Sequence, residues 1–140
     1  MSSNPSSLLF HHFGRAVRRP EATRKYLLAH GFELGEPVFD PSQNVHLQMA
    51  VCPGHPAVEI IWPGEIPGPT HALLERNRTG IIYHVCYETD NLPSVLAHWE
   101  AAGLNVVCFS PPTPAPLFNG RKVSFYHVSG MGMIELLEPA

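Results

Sequence analysis

Twice along this chain a histidine opens an apolar, strand-like run, and a glutamate lies inside a later apolar run that closes the same half. His12 and Glu59 form the first such set; His84 and Glu135 form the second. The step from histidine to glutamate is 47 residues in the first half and 51 in the second. Between those points each half reads as a helix followed by strands. Such self-similarity constrains a fold more than any single motif, because each copy must be one supersecondary unit built to the same plan.

The order within each half follows from local chemistry. Residues 8–17 alternate as a strand, with His12, Gly14 and Ala16 on one face and His11, Phe13 and Val17 on the other. Pro20 suits a first helical turn and Gly31 the residue just past a helix end, and Ala22, Tyr26 and Ala29 between them recur at helical spacing. Residues 32–39 read as extended, 40–44 as a turn, 45–51 as a strand, 53–56 as a turn and 57–62 as the strand carrying Glu59. A Pro- and Gly-rich stretch at 63–69 links the halves, with a short helix predicted over 70–77.

The second half repeats the plan. Residues 80–88 form a strand, Asp90 or Asn91 caps a helix through Val95, Leu96 and Trp99, and Gly103 stops it. Residues 104–109 read as a strand, 111–116 as a rigid proline-rich loop, 122–128 as a strand and 131–138 as the closing strand. The expected organisation is one α+β domain over residues 8–140: module one at 8–63, a linker at 64–79 and module two at 80–140. Residues 1–7 are polar, without the basic and apolar segments of a signal peptide, and read as a frayed tail.

Parity then singles out a chemistry. His84, Cys86 and Glu88 share one face of their strand, and Glu59 lies with Ile61 as Glu135 lies with Leu137. A carboxylate among apolar neighbours is costly to bury alone. Two imidazoles and two carboxylates sharing a divalent cation (Co, Ni, Zn, Mn or Fe) remove that cost and leave room for water or substrate oxygens. Cys86 reads as a small buried hydrophobe, and His11, on the opposite face from His12, as a poor ligand. Arg121, just after Asn119-Gly120, reads either as a grip for a substrate carboxylate or phosphate or as a solvated hairpin arginine.

Composition excludes other classes. A formal net charge of −3 with no basic run argues against nucleic acid or an anionic membrane as the main partner. No apolar run is long enough to span a bilayer. Three cysteines, an odd number without metal-finger spacing, point to reduced thiols in the cytoplasm.

The runs His12-Phe13-Gly14-Arg15-Ala16-Val17, Val58-Glu59-Ile60-Ile61, Tyr83-His84-Val85-Cys86-Tyr87-Glu88, Gly120-Arg121-Lys122-Val123-Ser124-Phe125 and Ile134-Glu135-Leu136-Leu137-Glu138, in this order, resemble the vicinal oxygen chelate superfamily. Within it they are most similar to methylmalonyl-CoA epimerase-like and glyoxalase-like members. The resemblance implies two tandem βαβββ modules forming a curved, incomplete barrel around a metal. It implies His12, Glu59, His84 and Glu135 as ligands, and a homodimer. It implies an isomerase or epimerase that moves a proton next to the carbonyl of a small substrate, such as a CoA thioester, through a metal-stabilised enolate. Glu135 is then both ligand and proton carrier. Epimerases of this group carry an acidic residue on the third strand of the first module. Here residues 43–49 hold no Asp or Glu, and His46 is the candidate replacement, since Gln48 is neither acid nor base.

Three alternatives remain open from the sequence. One is a glyoxalase-type enzyme acting on a thiol adduct, or a secondary-metabolism lyase. Another is an iron oxygenase using His12, His84 and Glu135, against which Glu59 fills a position that oxygen chemistry needs open. The last is a metal-free module that sequesters a small molecule, against which stand the four intact ligand candidates.

Overall fold

Strand β1 (Leu9–Ala16) runs parallel to β5 (Ala57–Pro63), and their register sets Gly14 opposite Glu59 and Ala16 opposite Ile61. This geometry comes from a computed structural model that describes residues 8–140. The tail expected at residues 1–7 lies outside the described residues. Nine strands and three α-helices occur among the described residues: two tandem βαβββ modules, one strand of the first being split in two, with a further helix between the modules. By contacts the described residues divide into 12–83 and 84–140, the latter together with residues 8–11. No helix among the described residues is long and apolar enough to cross a membrane.

In the first unit, α1 (Glu21–Ala29) follows β1, with Glu21 in the first turn where a negative charge meets the positive end of the helix dipole. It ends at Gly31, whose φ of +86° is open to glycine without a Cβ penalty. There Gly31 N–H donates to the Leu28 carbonyl at 3.1 Å and Phe32 N–H to the Leu27 carbonyl at 3.0 Å, a Schellman closure. The stretch expected to be continuously extended over 32–39 is instead two short strands, β2 (Glu33–Leu34) and β3 (Val38–Asp40). Both pair antiparallel with β4 (Val45–Val51), which pairs antiparallel with β5. Val17, Leu27, Ala50, Val58 and Ile60 form the core under α1, with Phe32 and Trp62 packed against it. Val58 and Ile60 therefore face the helix, and period two sends Glu59 and Ile61 to the other face. Helix α2 (Pro69–Arg76) follows β5 and buries Leu74.

The second unit repeats these devices. After β6 (Ile81–Glu88), helix α3 (Leu92–Ala101) is capped by the Asn91 side chain, which accepts from Ser94 N–H at 3.1 Å. It closes as α1 does: Gly103 N–H donates to the Glu100 carbonyl at 3.0 Å and Leu104 N–H to the Trp99 carbonyl at 3.1 Å. Strands β7 (Val106–Pro114), β8 (Lys122–Val128) and β9 (Gly132–Leu137) form an antiparallel run, and β9 lies parallel to β6. Leu92, Val95, Trp99, Tyr126, Val128, Ile134 and Leu136 make the core under α3.

One expectation is corrected here. The prolines beginning at residue 111 do not form a separate loop; β7 continues through Pro111, Pro112 and Pro114. Its pairing with β8 shifts register between Cys108 and Ser110 and again between Ser110 and Thr113. Proline donates no hydrogen bond, so it fits a strand that pairs on one side only and irregularly.

Candidate metal centre

The parallel strand pair positions one histidine and one glutamate in each unit. In the first, Gly14 stands opposite Glu59, and His12 lies two residues before Gly14 on the same face. In the second, Cys86 stands opposite Glu135, and His84 lies two residues before Cys86. The local consequence is the same contact twice. His12 Nε2 lies 3.4 Å from Glu59 Oε1, and His84 Nε2 lies 2.9 Å from Glu135 Oε1. All four residues are buried, none more than 3% exposed. Phe125 sets its ring edge-on to His84, centroids 5.4 Å apart, and so holds that imidazole plane.

The correspondence extends along both faces. Met49 stands opposite Glu59 as Phe125 stands opposite Glu135, and Leu47 stands opposite Ile61 as Val123 stands opposite Leu137. The separations from Leu47 to Glu59 and from Val123 to Glu135 are equal, so the four extra residues of the second half lie before β8. The donor set fits a divalent first-row ion or zinc. Each unit offers a neutral-capable imidazole and a carboxylate, both removed from water, and a buried carboxylate needs a cationic or hydrogen-bonding partner to be tolerated.

Other candidates fall elsewhere. His46 stands opposite Trp62, one residue out of phase with Leu47 and Met49, so it lies on the α1 side of the sheet, across from Glu59. It stacks on Trp62 at 5.3 Å with planes 13° apart and touches Phe39 at 4.9 Å. Arg24 from α1 covers Trp62, its guanidinium carbon 5.1 Å from the ring centroid, and donates to Gln48 Oε1 at 2.7 Å. The expectation that His46 supplies the second acid–base group is thus corrected: the pairing register turns it away from the Glu59 face. The β4 residues that do share that face, Leu47 and Met49, carry no titratable proton.

Arg121 is half-buried and held by two contacts. Its Nη2 donates to Glu88 Oε2 at 2.8 Å and its Nε to the Glu138 carbonyl at 2.9 Å. Glu88 shares the His84–Cys86 face of β6 and stands opposite Leu137. The hydrogen bond from Arg121, aided by the nearby His11 and outweighing partial burial, holds the Glu88 carboxyl below its usual range. The sequence placed Glu88 on that face but gave no sign of this partner. Cys86 is fully buried with Ala115, Val123, Phe125 and Leu137, as expected of a small apolar side chain. His11 packs edge-on against Phe118 at 5.5 Å.

Comparison with known proteins bears on the family and the fold. Residues 11–125 match the family model described as the Glyoxalase/Bleomycin resistance protein/Dioxygenase superfamily. The chain is 28% identical over 145 residues to the mitochondrial methylmalonyl-CoA epimerase of Bos taurus, covering 97% of this chain and 81% of that protein. It is 27% identical over 106 residues to the ethylmalonyl-CoA/methylmalonyl-CoA epimerase of Cereibacter sphaeroides, covering 76% of this chain and 77% of that protein. In fold it is similar to the crystal structure of methylmalonyl-CoA epimerase from Mycobacterium tuberculosis. That match has a TM-score of 0.81 at 19% identity and covers all of this chain and 93% of the other.

Proposed function

Because the chain belongs to the glyoxalase/bleomycin resistance protein/dioxygenase superfamily, we propose that it is a divalent-metal enzyme that moves a proton on the carbon beside a thioester carbonyl, an epimerase or isomerase of a small acyl-CoA. His12, Glu59, His84 and Glu135 would hold the ion. The observation that carries this reading is the twofold recurrence of one buried His–Glu contact at one strand register. The names of the similar epimerases support the CoA thioester.

When bound, a divalent cation supplies Lewis-acid stabilisation of the charge that develops on a carbonyl oxygen. The chain's own side chains do the rest. Glu135 takes the proton from the α-carbon, and because Leu47 and Met49 hold no acid, the proton that inverts the centre comes to the opposite face from water. Phe125, Val123 and Leu137 keep water from the His84–Glu135 contact, which strengthens the electrostatics of the site. Arg121, oriented by Glu88 and the Glu138 carbonyl, grips the carboxylate of the acyl group. The enzyme works as a cytoplasmic homodimer; no disulfide joins Cys52, Cys86 or Cys108, which suits a reducing compartment.

One observation favours a second reading. Leu47 and Met49 leave β4 without an acid or base beside Glu59. A single carboxylate working from one side suits a glyoxalase-type proton shift. Incubating the metal-loaded protein with methylmalonyl-CoA in D2O tests both. Deuterium at the α-carbon with loss of configuration is the expected result. Exchange with retention selects the glyoxalase-type reading, and no exchange overturns the acyl-CoA assignment.

A further inference from the structure

Beyond the ends of β1 and β5 the first unit opens a cavity of about 560 Å³, lined by Arg18, Arg19, Gly64, His71, Leu74 and Glu75 among others. Its size lies within the range of small-molecule sites. Arg18 and Arg19 are exposed, and neither guanidinium bonds to a described residue. His71 is oriented: Gly68 N–H donates to its Nδ1 at 3.2 Å, which makes Nδ1 the acceptor and leaves Nε2 to carry the proton. Three N–H donor groups thus line one hollow, two of them on permanent cations. Glu75 contributes the one carboxylate of that lining.

The lining itself points to an anion: Arg18 and Arg19 set two cations against the single carboxylate of Glu75. An acyl-CoA carries its reactive carbonyl at one end of a long flexible arm and several phosphate charges at the other. The run from His12 to the end of β1 at Ala16 covers about 13 Å at the strand rise of ~3.3 Å per residue, and the cavity lies past it. Adjacent arginines are suited to phosphate because each planar fork makes two parallel hydrogen bonds.

We propose that the Arg18–Arg19–His71 cavity binds the phosphates of the nucleotide end of the acyl-CoA. This rests on the acyl-CoA reading above, so the test separates the two. Isothermal titration of the full chain with adenosine 3′,5′-bisphosphate needs no turnover. Binding that weakens about tenfold or more in R18A/R19A is expected, the scale of one or two lost charge-assisted contacts. Steady-state kinetics then compare methylmalonyl-CoA with the same acyl group on pantetheine. The double variant raises KM for the CoA ester about tenfold at unchanged kcat and leaves the pantetheine ester unaffected. Equal nucleotide binding by wild type and variant overturns the proposal, as does equal loss on both esters. Inorganic phosphate binding as tightly as the bisphosphate also overturns it, making the cavity a free-phosphate site. Arginine-dependent nucleotide binding without turnover of either ester supports the cavity's role while removing methylmalonyl-CoA as the substrate.

Discussion

Module one and module two share a frame and differ in what lines it. Each sets a histidine, then two residues later the partner of a glutamate, on a parallel strand pair, and each closes its first helix with a glycine in the left-handed region. Yet Gly14 and Ala16 in module one become Cys86 and Glu88 in module two, and Met49 becomes Phe125. The His–Glu separation differs as well, 3.4 Å against 2.9 Å. Module one therefore offers smaller side chains beside its pair. Module two offers a packed wall and a charged rim formed by Glu88 and Arg121. A duplicated scaffold can keep its histidine–glutamate register while one copy lines it with small and apolar side chains and the other with an aromatic ring and a charged pair.

That division is breakable by experiment. The largest contrast is expected between the two glutamates. Glu59→Gln keeps an oxygen donor and retains bound metal and most turnover. Glu135→Gln also retains metal by elemental analysis, but loses turnover by about 10²-fold or more because the proton carrier is gone. Equal losses in the two variants would erase the distinction between the modules.

Next in size is a test of their equivalence as scaffolds. Ile60 and Leu136 are fully buried and occupy matching positions beside Glu59 and Glu135. Truncation of either to alanine costs about 2–5 kcal/mol in urea denaturation. A large cost at one site only would show that one module carries the fold.

The smallest effect concerns the charged rim peculiar to module two. Glu88 has a lowered pKa in the folded state, so its contribution is fully present above its unfolded value, near 4.3 for a free glutamate, and is lost as pH falls through the folded pKa. Because the pair is partly exposed, Glu88→Gln costs under about 1 kcal/mol at neutral pH. The gap from wild type should close in acid, as read by thermal melts across pH. A gap that widens in acid would reverse the sign argued here.

Much of this was legible before any coordinates. Period two along β1 and β6 separates His12 from His11 and groups His84 with Cys86, and the matching closing strands show that each half unites one imidazole with one carboxylate. What was hidden depends on pairing rather than on local pattern. In β4 both faces hold bulky or apolar residues, Val45, Leu47 and Met49 against His46, Gln48 and Ala50, so alternation alone does not say which set lies beside Glu59. Only the register with β5 decides it. Arg121 and Glu88 are 33 residues apart and meet through the sheet. The prolines of β7 hide the strand because proline opposes extended pairing locally, and only the one-sided, shifted pairing makes it admissible.

That same strand has a consequence for the molecule in a crowded solution. As the last strand in its sheet order, β7 is where a foreign chain would try to add itself. Pro111, Pro112 and Pro114 withhold the N–H groups such an intruder needs, and the bulges twist the ladder out of step. The rim thereby guards itself, through its own backbone chemistry, against runaway stacking of one copy upon the next.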